Sequence, residues 1–178
     1  MTISATGRCS KPRRRIPAGF TLLEMLVVIA LIGIILTFAV LAIGGDGRAE
    51  ELERESRQFA ELLRLGSEQA VLRGEEWAVQ IEPEQYRFLL YADKGWQVLE
   101  DDDLFRLRKL AADTRLDLEL EGREAELESS EDPKPTLILY SSGETSPFTA
   151  RFHSDATEAR YQVAADLAGE IRWETADE

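Results

Sequence analysis

At 178 residues the chain has room for one domain plus an attachment, and its net charge of −13 is unevenly spread. Arg8, Lys11, Arg13, Arg14 and Arg15 stand among the first 19 residues without an acid, whereas residues 20–178 hold 16 basic against 34 acidic residues, a net of −18. Such a body repels nucleic-acid phosphate and argues against a nucleic-acid partner. The single cysteine, Cys9, excludes a disulfide within the chain and offers no metal or redox framework.

Behind the basic tail comes an apolar run. Met25 to Ile43 is 19 residues without a charge. At ~1.5 Å per residue a helix of that length spans roughly 28 Å, close to a hydrocarbon core of ~30 Å. The basic cluster before it predicts a cytoplasmic tail, with the acid-rich body across the membrane. A cleaved secretory signal would have a core of about 7–15 residues and an A-x-A-like site; here the core is longer and Ala42-Ile43-Gly44 is a poor site. An uncleaved signal-anchor fits length and charge but leaves Glu24 unexplained. A third reading makes Gly19-Phe20 a processing junction and Glu24 a functional group.

An acid at the centre of a membrane helix costs about 2.5–3.5 kcal/mol on insertion scales, and less near the interface. An interfacial Glu24 with no role therefore stays open. Cleavage after Gly19 would remove all five basic residues and create an α-amino group on Phe20, four positions before Glu24. That amine in a neighbouring copy could pair with the carboxylate, and the neutralised pair would let apolar helices pack side by side.

Gly44-Gly45-Asp46-Gly47 predicts a kink or loosened turn. Arg48 to Arg73 then reads as an amphipathic helix, with Leu52, Ser56, Phe59, Leu63, Gly66 and Ala70 on one stripe and Leu62 and Leu72 alongside. Gly74 marks its end. A helix from about Phe20 to Arg73 is ~80 Å long, too long for the body that follows. Its first half must pack on lipid or other subunits, its second on the body.

From Glu76 the period changes to two. Strands are predicted at Trp77–Ile81 and Tyr86–Tyr91 across a Glu82–Gln85 connection, and at Trp96–Leu99 after a Lys94-Gly95 turn. Further strands are predicted at Phe105–Arg108, at Leu116–Leu120, and, after Gly122, weakly at Ala125–Leu127. Ser129–Pro135 reads as a surface loop, followed by strands at Thr136–Tyr140, Phe148–Phe152, Tyr161–Val163 and Glu170–Trp173. This many short strands beside one helix favours two sheets over one. The expected fold is α+β: a long N-terminal helix packed on a C-terminal antiparallel β domain.

Signs of catalysis are weak. His153 is the only histidine, and no G-x-S-x-G, H-E-x-x-H or Walker A pattern accompanies it; packing at a strand end is its default role. Asp101-Asp102-Asp103 lacks the alternating ligands and glycine of a calcium loop and reads as a solvated turn. Trp77, Trp96 and Trp173 read as strand anchors before they read as a ligand platform. No catalytic residue, metal or cofactor is expected.

The run Arg15-Ile16-Pro17-Ala18-Gly19-Phe20-Thr21-Leu22-Leu23-Glu24-Met25-Leu26-Val27-Val28 resembles the class III signal of type IV pilins and type II secretion pseudopilins. The resemblance implies cleavage between Gly19 and Phe20 by prepilin peptidase, N-methylation of Phe20, and a role for Glu24 in methylation and subunit docking. The helix from Glu51 to Gly74, the Trp77 and Tyr86–Leu89 strands, and Ser141-Ser142-Gly143-Glu144 with Ser146-Pro147-Phe148 are similar to the H-type minor pseudopilins of type II secretion. That implies a pilin-like fold: leader 1–19, membrane and assembly helix 20–45, amphipathic continuation 46–74 and periplasmic β domain 75–178. The implied partners are other minor pseudopilins, the major pseudopilin, the prepilin peptidase, the inner-membrane assembly platform and the inner membrane itself. The implied location is the inner membrane, single-pass, before entry into a periplasmic pseudopilus that supports export of folded proteins. A minor pilin of a type IV pilus shares this plan and is the alternative; a periplasmic binding or enzymatic domain on an uncleaved anchor is the second.

Overall fold

The structure, a computed structural model, describes residues 22–99 and 102–176, with the side chains of 37–46 outside the description. In chain order the elements are α1 (Leu22–Arg73), β1 (Trp77–Glu82), β2 (Gln85–Ala92), β3 (Gly95–Val98), β4 (Arg108–Lys109) and β5 (Thr114–Leu120). They continue with β6 (Arg123–Ala125), β7 (Leu137–Leu139), β8 (Phe148–Ser154), β9 (Thr157–Ala165) and β10 (Ile171–Thr175). The chain divides at Leu41/Ala42 into two units. The fold is α+β, as expected, and the β domain has two antiparallel sheets.

The first sheet has the order β3-β2-β1-β7, with β4 also on β2, and the second the order β10-β9-β8-β5-β6. The stripe read from the sequence is the docking face of α1: Leu52, Ser56, Phe59, Leu63, Gly66 and Ala70 are all buried. Phe59 bridges the two sheets, its ring 4.9 Å from Tyr86 of β2 and 5.5 Å from Phe152 of β8. Leu72, placed beside the stripe by the sequence, is 77% exposed. It lies in the last turn of α1.

The helix ends as Gly74 predicts. Gly74 takes a φ of 65°, and Glu75 N–H donates to Ala70 O at 3.1 Å. That bond spans the left-handed residue and satisfies one of the last helical carbonyls, a Schellman closure. At the glycine run the expectation fails, because the backbone stays helical through Gly44–Gly47 with no loosened turn. Glycine lowers helix propensity by about 1 kcal/mol per residue but does not forbid the helix.

Register follows the alternation. Trp77, Val79 and Ile81 of β1 join the core, opposite Leu90, Phe88 and Tyr86 of β2. The other face of β1 is buried too, and there the sequence pattern of a half-exposed strand misleads. Gln80 and Glu82, with Arg87 and Gln85 of β2, form a polar network under the Ser129–Pro135 loop. Gln80 Nε2 donates to Glu82 Oε1 at 2.9 Å, Gln85 Nε2 to Glu82 Oε2 at 2.7 Å, and Arg87 Nη2 to Ser130 O at 2.7 Å. Lys134 N–H closes the loop onto Gln80 Oε1 at 3.0 Å. The loop is thereby pinned through its backbone, although its composition is that of a free surface segment.

One predicted strand is displaced. Phe105–Arg108 alternates apolar and charged residues, yet only Arg108 and Lys109 pair with β2. Asp102 Oδ1 accepts from Leu104 N–H at 2.8 Å and Phe105 N–H at 3.2 Å, bending the chain before it can extend. Phe105 still reaches the core, 4.9 Å from both Trp77 and Phe88. Another shift is smaller. The β2–β3 turn is centred on Asp93 and Lys94, with φ of 50° and 68°, one residue before the predicted Lys94-Gly95. Positive φ at both positions marks the mirror-image turn that suits the twist of a hairpin.

These geometries give two stability predictions of opposite sign, both readable by thermal unfolding of the detergent-solubilised chain. A Cβ on Gly66 would lie 3.0 Å from Leu139 Cδ1 and 3.2 Å from Phe88 Cε1, so Gly66→Val should destabilise by about 1–3 kcal/mol through overpacking. Lys94 is exposed and left-handed, so Lys94→Gly should stabilise by about 0.5–1 kcal/mol by removing the Cβ penalty.

Candidate assembly segment

Leucine, isoleucine and valine dominate the start of α1, and they do not form a stripe. Leu22, Leu23, Met25, Leu26, Val27, Val28, Ile29, Leu31, Ile32, Ile34, Ile35 and Leu36 are all between 40% and 84% exposed. A helix apolar on every side is stable only inside something: a large core, a bilayer or a bundle of like helices. Glu24 sits in its first turn, exposed, the only charged residue of that segment. An acid there also complements the positive end of the helix dipole.

Of the sequence-predicted site residues, Glu24 is thus placed on this segment, while Gly19 and Phe20 lie outside the described residues. Among the described residues no helix is long and apolar enough to cross a membrane. The described side chains of the run stop at Leu36, short of the roughly 20 residues a span requires; Thr37 to Ile43, the rest of the predicted span, lie beyond them.

The second unit shows how its own part of α1 is fastened. Trp173 of β10 donates from Nε1 to Ser56 Oγ at 2.9 Å, stacks on Tyr161 at 5.4 Å and carries the Arg57 guanidinium 3.6 Å above its ring. Arg64 donates to Ile171 O at 2.8 Å, covering the backbone at the start of β10. Glu55 accepts from Ala111 N–H at 2.8 Å and Thr114 Oγ1 at 2.7 Å. Arg48 pairs with Asp113, its Nε 2.9 Å from Oδ2. Trp77 is fully buried, as a strand anchor should be, whereas Trp96 packs on Tyr91 at 5.3 Å near the β3 edge.

The remaining candidates take structural places. His153 Nδ1 lies 3.4 Å from Asp117 Oδ2 across the β5–β8 pair. Asp102 caps a turn, and Asp101 lies outside the described residues. Among the described residues no group of three or more His, Cys, Asp or Glu could hold a metal ion. The sequence does not reveal the fastening roles of Glu55 and Arg64, which look like ordinary polar positions of a helix. The one legible signal was Ser56, a polar residue in the apolar stripe.

An all-round apolar helix, ahead of a one-sided helix docked on two antiparallel sheets, defines a pilin-like filament subunit. Comparison with known proteins specifies it. The profile of the family described as type II transport protein GspH matches residues 55–169, and that of the prokaryotic N-terminal methylation motif matches residues 14–44. Type II secretion system protein H of Aeromonas hydrophila is 33% identical over 173 residues, covering 90% of this chain and 94% of that one. The protein of the same description from Pseudomonas aeruginosa is 31% identical over 156 residues, covering 82% and 88%. The crystal structure of the minor pseudopilin EpsH from the type II secretion system of Vibrio cholerae superposes with a TM-score of 0.63 at 31% identity, covering 72% of this chain and 96% of that one. The solution structure of Escherichia coli GspH, at 13% identity and a TM-score of 0.58 over 74% of this chain and 92% of that one, shares the fold.

The chain belongs to the type II transport protein GspH family. It is a minor pseudopilin, a structural subunit that assembles with other pseudopilins in type II secretion. The type IV pilus alternative is thereby set aside.

The Ser56 contact gives a direct check on the helix–sheet fastening. Ser56 is fully buried, so Ser56→Ala should leave the Trp173 indole N–H without its acceptor and destabilise by about 1–3 kcal/mol. Denaturant unfolding followed by tryptophan fluorescence reads both the loss and the change at Trp173.

Proposed function

We propose that the chain matures by cleavage between Gly19 and Phe20 and N-methylation of Phe20, and that Glu24 then docks it into the pseudopilus. The observation that carries this is register: Gly19-Phe20 stands ahead of Glu24, which opens a helix apolar on all sides. A carboxylate carried into an apolar contact between helices is costly unless an opposite charge meets it there. The new α-amino group of a neighbouring subunit supplies one, within the apolar contact that the helix requires. The uncut leader, carrying five basic residues, holds the N-terminus on the cytoplasmic side and keeps the amine from forming early.

In this reading residues 1–19 are the leader, 20–45 the membrane and assembly helix, 46–74 its amphipathic continuation and 75–178 the periplasmic domain. The chain rests in the inner membrane as a single-pass protein before joining the pseudopilus. Prepilin peptidase, the major pseudopilin, other minor pseudopilins and the assembly platform are its partners. Its contribution to export of folded proteins is mechanical, through the filament, and not catalytic.

Intact mass of the membrane-extracted chain, with and without co-expressed prepilin peptidase, tests the reading. Loss of residues 1–19 together with gain of one methyl group on Phe20 is the expected result. A full-length mass in both cases, beside a control substrate that is cut, would leave Glu24 as an interfacial acid on a signal-anchor.

A further inference from the structure

After β3 the chain returns along the same edge of β2, where β3 pairs with Leu89–Ala92 and β4 with Gln85 and Tyr86. Phe105 anchors this excursion in the core, and the next four residues carry Arg106, Arg108 and Lys109. That is the densest run of positive charge in a body whose net is −18. Of the exposed arginines elsewhere, Arg57 pairs with Glu53, Arg115 with Asp155, Arg151 with Glu119 and Arg172 with Glu170, whereas Arg54, Arg73, Arg123 and Arg160 are scattered singly and enter no ion pair with a described residue. Arg106 and Lys109 are exposed and enter no ion pair with a described residue.

The three cations line a cleft of about 270 Å³ together with Glu55, Gln58 and Tyr86. Its one carboxylate is already engaged, because both Glu55 oxygens accept hydrogen bonds from the Ala111–Thr114 segment. Arg108 Nη2 donates to Leu104 O at 3.1 Å, but Arg108 Nε is buried with no acceptor among the described residues. Burial pushes the Tyr86 phenol up, with Arg108 opposing the rise and the Glu55 carboxylate adding to it. The cleft therefore offers positive charge and unfilled donors, with its only acid occupied. Leu104 and Leu107 stand 46% and 44% exposed on the same excursion and supply apolar contact.

We propose that this cleft receives an aspartate or glutamate side chain from the body of a neighbouring pseudopilin. A carboxylate matches the donors and the charge, and guanidinium–carboxylate contacts are the strong, directional kind. Charge also selects the place, since an acid-bearing subunit is repelled by most of this net-negative surface and attracted at the cleft lined by Arg106, Arg108 and Lys109. The inference rests on the chain being a filament subunit and adds a second contact, on the body, to the one made by the apolar helix.

The test places a photocrosslinking residue at Leu107 of the full chain, in cells that express the other pseudopilins. The expected product is a crosslink to an acid-bearing segment of another pseudopilin. Arg106→Glu with Lys109→Glu should reduce it at least about tenfold, while Lys94→Glu, an exposed cation elsewhere, leaves it unchanged. Reversing the partner's acid to lysine should restore it. Thermal unfolding checks that the variants fold, and the milder pair Arg106→Gln and Lys109→Gln should act in the same direction. A crosslink to phospholipid, one that survives charge reversal, or none at all overturns the proposal. Leader cleavage is scored in the same cells: a cleaved chain lacking the crosslink overturns the cleft alone, and an uncleaved chain lacking it counts against both readings.

Discussion

The constraint on which everything else depends is that α1 begins with a surface its own chain does not bury. Burying one large aliphatic side chain is worth roughly 1.5–3 kcal/mol, and a dozen such residues between Leu22 and Leu36 are at least 40% exposed. No rearrangement of one chain hides a helix that is apolar on every side. A bilayer can hide it, and so can other helices of the same kind. A subunit that moves from the first solvent to the second needs a way to favour the second, and in the proposed reading a carboxylate near the helix start supplies it by meeting a neighbour's α-amino group.

The body has the opposite design. There α1 is one-sided, and its buried stripe is fixed by specific polar contacts at the second sheet: Ser56 with Trp173, Arg64 with the backbone of β10, Glu55 with the segment before β5. Phe59 touches both sheets at once, so helix, first sheet and second sheet form one core. The Gln80–Glu82–Arg87 network does the same for the Ser129–Pro135 loop. Removing one member of a buried charged pair typically costs about 3–5 kcal/mol, so such a loop keeps its shape although it carries little apolar surface. A rigid body on a helix that seeks partners suits a filament subunit, whose surface loops must meet neighbours in a fixed place.

Much of this was legible in the residues. Period 3.6 from Leu52 to Ala70 gave the docking face, period two gave the sheets, and Gly74 gave the helix end with its left-handed φ. Arg48–Asp113 and Trp173–Ser56 were not legible, because they join residues 65 and 117 positions apart. The strand at Phe105–Arg108 was misread because alternation alone does not register the pull of Asp102 on the backbone. That misreading also hid the cation cleft, because Arg106 and Arg108 look like the solvent side of an ordinary strand. The maturation proposed at Gly19 and Phe20, with Glu24, rests on their register in the sequence and on the apolar helix behind it.

The central claim is that the apolar start of α1 packs against the same segment of neighbouring pseudopilins once the chain has matured. The most direct measurement is photocrosslinking from Leu26 and from Ile35, in cells with an active prepilin peptidase, comparing the native chain with Glu24→Ala. The account predicts crosslinks from both positions to the N-terminal helices of other pseudopilins, lost in the variant while its insertion in the membrane persists. Crosslinks that run to lipid alone in the native chain, or that form equally well without Glu24, would contradict it.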